Sequence, residues 1–198
     1  MSAENIFVDE LSIEPCHKTM TMTFQKGLNY LKGQNGSGKT MLLDYVAGIR
    51  NDQKQRISGN ENIVYINQNI FFADRLTGTD FVKFVYRLDN KSREREKFFE
   101  FTERFDIDKK VDVKTLMEKQ WGLLSGGERK YLYSMVLLSL DREWYILDEP
   151  FAYLDTEKKE ILWKVIEAFA SEGKGVILTS HEEDSRINGS DIHVINLD

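Results

Sequence analysis

Gly33-Gln34-Asn35-Gly36-Ser37-Gly38-Lys39-Thr40 satisfies every fixed position of the pattern G-x-x-x-x-G-K-[ST], a cradle for phosphate. The chemistry accounts for the residue types. Glycines let the backbone turn tightly, so that successive N–H groups face one anion. The lysine brings a charge to the outer phosphates of a nucleotide, and the threonine hydroxyl is a hard oxygen suited to Mg²⁺. The pattern is short. A glycine-rich turn between a strand and a helix, with a chance lysine, meets it equally well, so the neighbouring sequence has to decide.

Gly27 introduces Leu28-Asn29-Tyr30-Leu31, read as a short strand that feeds the glycine loop. After the loop, Thr40 to Ala47 carries apolar residues at Met41, Leu42, Tyr45 and Val46, with Gly48 as a helix stop. Strand, loop and helix in that order bring a helix N-terminus, with its unpaired N–H groups and positive dipole end, to the phosphates. Towards the amino terminus, Ile6 to Ile13 and the alternating Met20-Thr21-Met22-Thr23-Phe24 predict an antiparallel flap that turns near Pro15.

Towards the carboxyl terminus, Asn62 to Gln68 predicts a buried strand ending in two amides. Between Phe71 and Lys119 the pattern becomes helical and charged, with helices expected over Asp80 to Leu88 and Arg93 to Phe105. A helical lobe of about 71–124 is therefore expected, inserted into an α/β core made of 1–70 and 125–198. Leu124-Ser125-Gly126-Gly127-Glu128 opens a helix running to about Leu140. Ser125-x-x-Glu128 is a capping box, sufficient by itself to start that helix.

Trp144-Tyr145-Ile146-Leu147 followed by Asp148-Glu149 predicts a fully buried strand that delivers two carboxylates at its carboxyl end. Two such acids repel one another unless a cation joins them. Asp155 is placed to cap the next helix, whose core face is Ile161, Leu162, Val165 and Phe169, and Gly173 ends it. Gly175 to Ser180 is a further buried strand with His181 at its exit, and Ile192 to Leu197 closes the chain.

The whole chain has 198 residues, enough for one domain with a sizeable core. A net charge of −6 argues against a protein built on nucleic-acid binding, which ordinarily presents a basic face. Cys16 is the one cysteine, so no intrachain disulfide forms and a reducing compartment is expected. The first residues lack a basic segment followed by an apolar core, so no signal peptide is expected. The most apolar stretch, around Met135 to Leu140, is too short to cross a bilayer, which takes about 20 residues.

In this order the segments resemble the ATP-binding cassette (ABC) ATPases, over nearly the whole chain. Gly33 to Thr40 resembles the Walker A loop, and Gln68 the Q-loop glutamine. Leu124 to Glu128 resembles the LSGGQ signature, with Glu128 in its last place. Trp144 to Asp148 resembles Walker B, Glu149 the catalytic glutamate, Leu154-Asp155 the D-loop and His181 the switch histidine.

The resemblance implies a P-loop α/β fold with a mostly parallel sheet, an antiparallel flap and a helical lobe, and it implies ATP and Mg²⁺ as cofactors. By that resemblance Gly33, Asn35, Gly36, Ser37, Gly38, Lys39 and Thr40 bind the nucleotide in cis. Thr40, Gln68 and Asp148 serve the metal, Glu149 polarises the attacking water, and Lys39 and His181 steady the γ-phosphate. It also implies a head-to-tail pair of cassettes, as a homodimer or a heterodimer. In such a pair Ser125, Gly126 and Gly127 complete the partner's site, and Asp155 is a further nucleotide-binding residue. Two departures stand out. The segment Ile13 to Thr19 lacks the family's adenine-stacking aromatic, leaving His17 or Phe7 as substitutes, and Glu128 adds a negative charge beside the signature.

Within that family the short carboxyl end and the run Asp74 to Phe81 resemble compact exporter cassettes. The expectation is an energy-coupling subunit on the cytoplasmic face of a membrane, docked on a separate transmembrane subunit, with Asn69-Ile70-Phe71-Phe72 as a docking surface. Phe71 and Phe72 as lobe core is the competing reading. A soluble ABC ATPase for iron–sulfur cofactor assembly is the alternative function. Nucleic acid is not an expected partner.

Overall fold

The structure is a computed structural model that describes residues 5–13, 18–50, 56–89, 94–180, 185–189 and 191–198. Its chain divides into two compact units. The first comprises Met1–Asn67, Arg142–Pro150 and Ile166–Asp198, and the second Gln68–Asp141 and Phe151–Val165. His17 and His181 lie outside the described residues.

The first unit holds both sheets. β1 (Ile6–Ile13) pairs antiparallel with β2 (Lys18–Phe24), and on its other side with β4 (Ile57–Ser58). The expected flap is therefore present. The two-residue strand β4 leaves no trace in the sequence, because Ile57-Ser58 has no alternation long enough to declare itself. The larger sheet is parallel and has the order β5-β6-β7-β3-β8, formed by Ile63–Ile66, Trp144–Asp148, Gly175–Thr179, Gly27–Lys32 and Ile192–Asn196. Strands β6 and β7 are buried at every residue, as runs of large apolar side chains in a doubly covered parallel sheet should be.

α1 (Lys39–Val46) follows β3 through the glycine loop and ends before Gly48, whose φ of 73° is the left-handed stop read from the sequence. Leu42, Leu43 and Val46 of α1 are fully buried. They join Ile6, Val8 and Phe24 of the flap and Trp144, Ile146 and Ile177 of the parallel sheet in one core cluster. This packing fixes the helix against the strand ends from which the carboxylates emerge.

The second unit is helical: α2 (Gly78–Leu88), α3 (Glu94–Phe105), α4 (Val113–Glu118) and α5 (Gly126–Leu138). The helix α6 (Thr156–Ser171) begins in it. Its bounds exceed the expected insertion of about 71–124, since α5 packs with the lobe helices. A methyl group on Gly78 of α2 would come within 2.7 Å of Leu132 in α5 and 2.8 Å of Met117 in α4, so glycine there lets three helices meet. The two readings of Phe71-Phe72 divide. Phe72 packs on Phe81, Phe84 and Trp121, whereas Phe71 is 89% exposed. Among the described residues no helix is long and apolar enough to cross a membrane.

Candidate functional site

The glycine loop joins the carboxyl end of β3 to the first turn of α1. Gly36 and Gly38 take φ values of 83° and 97°, a region in which a Cβ is strained, so these two glycines are what permits the turn. Gly33 packs closely on the loop, because a methyl there would lie 2.6 Å from Ser37 Oγ and 3.3 Å from the Leu197 Cβ. That Ser37 hydroxyl is buried and has no hydrogen-bond partner among the described residues, a polar atom left for a ligand. Lys39 is buried too, with its ammonium donating to the Gly33 and Gln34 carbonyls at 2.6 and 2.9 Å. The loop thus folds around its own cation, with the charge held at its centre. At its start, the Gln34 N–H donates to Asp198 Oδ1 at 2.7 Å.

The carboxyl ends of β6 and β7 lie beside this loop in the same parallel sheet. Asp148 ends β6 and is 1% exposed. It accepts the Thr40 hydroxyl on Oδ2 at 2.8 Å and the Thr179 hydroxyl on Oδ1 at 2.6 Å. Thr40 and Asp148 accordingly place two hard oxygens side by side, a donor pair suited to Mg²⁺. Tyr65 of β5 stands close by, and its hydroxyl donates to Asp44 at 3.3 Å. Burial, and then the charges of Asp148 and Asp44, push the Tyr65 phenol well above its ordinary pKa, so it stays a donor. Glu149 follows at φ 49°, a left-handed backbone for a residue with a side chain, and its N–H donates to Thr179 Oγ1 at 3.0 Å. The exit of β7 is tied to β3 by the Tyr30 hydroxyl, which donates to the Ser180 carbonyl at 3.0 Å.

Thr179 belongs to no motif, and Gly175 to Ser180 reads in sequence as a buried strand. The available signal was a lone hydroxyl at the carboxyl end of a buried strand that neighbours the acidic one.

The remaining predicted residues belong to the second unit. Gln68, at its amino-terminal boundary, is exposed. Ser125 caps α5 in the expected capping box: its hydroxyl accepts the Glu128 N–H at 3.1 Å, and Glu128 accepts the Ser125 N–H at 2.7 Å. Lys119 donates to the other oxygen of Glu128 at 2.8 Å. That hydrogen bond, followed by the one from Ser125, holds the Glu128 carboxyl below the usual carboxylate range. The extra negative charge of this signature therefore carries its own counter-charge. Gly126 has open space over its Cα, whereas Gly127 lies against the Tyr153 carbonyl, 2.5 Å from where a Cβ would sit. Asp155 caps α6 by accepting the Lys158 N–H at 3.0 Å, and the Lys158 ammonium pairs with its other oxygen.

Comparison with known proteins agrees with this geometry. The family model described as ABC transporter matches residues 17–152. The cytochrome c biogenesis ATP-binding export protein CcmA of Haemophilus influenzae is 27% identical over 91% of the chain and 87% of its own length. A Clostridium tetani protein described as an ABC transporter ATP-binding protein is 29% identical over 77% of the chain, which spans only 36% of that relative. Among solved structures, an ABC transporter ATP-binding protein from Pyrococcus furiosus superposes with a TM-score of 0.77 at 25% identity, covering 98% of each chain. With the glycine cradle, the Asp148–Glu149 strand end and the capped signature all in place, the chain belongs to the ABC transporter family, as one of its ATP-binding, ATP-hydrolysing cassettes.

Proposed function

We propose that this cassette powers export of a small or peptide-like substrate through a separate transmembrane subunit, from the cytoplasmic face of the membrane, and that it works as a head-to-tail pair. The observation that carries the reading is the bonded set Thr40–Asp148–Thr179–Glu149 at the strand ends beside the glycine loop, which supplies what phosphoryl transfer to water needs. Likeness to a CcmA export protein over most of both chains supports export.

Each residue then has a part. Loop amides from Gly33 to Gly38 and the Asn35 backbone hold the phosphates, Ser37 gives them its free hydroxyl, and the Lys39 ammonium leaves its carbonyls to meet their charge. Thr40 and Asp148 would hold Mg²⁺, which neutralises phosphate charge when bound. Glu149 orients the attacking water and takes its proton, and His181 steadies the γ-phosphate. In the pair, Ser125, Gly126, Gly127 and Asp155 face the partner's nucleotide. Open space over Gly126 supports that role.

The test is Glu149→Gln. Nucleotide affinity should stay at the parent value while turnover falls about a hundredfold or more, and light scattering should show a dimer with ATP. Parental turnover refutes the role of Glu149, and a monomer that still binds ATP refutes the pairing. Co-purification of a multi-span membrane protein tests the transport assignment.

A further inference from the structure

We propose that Thr179 is a positioning residue for hydrolysis: its hydroxyl ties Asp148 to the Glu149 backbone and so fixes the direction in which the Glu149 side chain leaves the strand. The inference rests on the water-orienting role given to Glu149.

Thr179 is the last residue of β7, fully buried, and stands in register beside Asp148 of β6. A threonine hydroxyl has one proton and two lone pairs. The proton goes to Asp148 Oδ1 at 2.6 Å, and the oxygen receives the Glu149 N–H at 3.0 Å. One side chain on a neighbouring strand thus binds both acids. Because Thr40 donates to the other oxygen of Asp148, a continuous line of hydrogen bonds runs from the first turn of α1 to the Glu149 backbone. Donors and acceptors linked in this way polarise and stiffen one another.

Glu149 depends on that line. Its φ of 49° is a conformation that a residue with a Cβ enters only against steric cost, and it persists where surrounding bonds enforce it. The Thr179 oxygen accepts the N–H of this strained residue. Packing alone does not call for a hydroxyl there. Val176, Ile177 and Leu178 of the same strand are wholly apolar and buried, and valine would fill the site with equal strand preference. What threonine adds over valine is the two bonds.

The test compares Thr179→Val, Thr179→Ser and Glu149→Gln for turnover, KM for ATP and nucleotide affinity. Thr179→Val should lower kcat about ten- to a hundredfold, with KM and affinity within about twofold of the parent. Thr179→Ser, which keeps the hydroxyl, should restore kcat to within about threefold. Thr179→Cys, a weak donor of similar volume, replaces the valine variant if that one does not accumulate. Parental kcat in Thr179→Val, equal loss in Thr179→Ser, or a fall in affinity matching the fall in kcat overturns the inference. If Glu149→Gln loses turnover while Thr179→Val keeps it, only the positioning role falls. If Glu149→Gln keeps turnover, the role of Glu149 falls as well.

Discussion

The two signature glycines are adjacent, yet adding a methyl group to each should have opposite consequences. Neither has a left-handed backbone, so alanine suits both conformations. Each replacement also gains up to about 1 kcal/mol of helix preference at the start of α5. At Gly126 the new Cβ meets nothing within 4 Å, so Gly126→Ala should leave the thermal midpoint unchanged or slightly raised. At Gly127 the Cβ would lie 2.5 Å from the Tyr153 carbonyl oxygen, roughly 1 Å inside ordinary contact. Tyr153 itself sits at φ 68°, which limits how its carbonyl can retreat. Overpacking of this kind costs about 1–3 kcal/mol. Measured against Gly126→Ala, which makes the same helix gain, Gly127→Ala should be less stable by about 1–3 kcal/mol, or roughly 2–12 °C in midpoint. Function should divide the other way. The space over Gly126 is what the partner's nucleotide is proposed to occupy, so Gly126→Ala should weaken ATP-driven pairing at least about tenfold while binding ATP in cis as before. Differential scanning calorimetry reads the first effect, and light scattering in the Glu149→Gln background reads the second. A Gly126→Ala protein that pairs like its parent, or a Gly127→Ala protein whose midpoint equals that of Gly126→Ala, refutes the reasoning.

Further expectations concern charge in the second unit. Lys119 and Glu128 form a partly exposed pair, so Lys119→Met should cost only about 0.5–1 kcal/mol of stability. Glu128→Gln should remove most of that penalty, because no carboxylate is then left uncompensated. A double-mutant cycle on thermal midpoints measures the coupling, and strict additivity would show that Lys119 does not neutralise the signature. Acid should loosen the same unit. Backbone and hydroxyl bonds from Thr77 hold the Asp80 carboxyl low, the Lys119 bond holds Glu128 low, and the Lys158 bond holds Asp155 low. With folded pKa values below the unfolded ones, the unfolded chain binds the extra protons. Their stabilisation is therefore complete above the ordinary carboxylate range, near pH 4, and is lost as pH falls through the lower folded values. Thermal midpoints followed by circular dichroism from pH 7 to pH 3 should fall below about pH 4, and less steeply in Asp80→Asn. A midpoint independent of pH across that range would contradict these bonds.

What the sequence disclosed and what it concealed follow from how far each signal reaches along the chain. Residues that contact phosphate come in short runs because a loop or a strand end must present them together, so Gly33 to Thr40 and Asp148-Glu149 could be read directly. The Ser125–Glu128 capping box is equally local, and its bonds form as expected. The box that starts α2, Thr77 with Asp80, is harder to read because aspartate replaces the usual glutamate or glutamine at its third position. Contacts between distant segments left no such trace. The packing of Gly78 on Leu132, which draws α5 into the helical unit, joins positions far apart in the chain, and so does the contact of Gly127 with Tyr153. Phe71 and Phe72 share one apolar signature, although Phe72 packs in an aromatic cluster and Phe71 is exposed. Thr179 is the sharpest case. In sequence it closes an apolar strand, and only the register that sets it opposite Asp148 turns its hydroxyl into the link between two acids. Groups that meet the ligand are thus legible from motifs, whereas groups that aim them become legible once strand order and register are known.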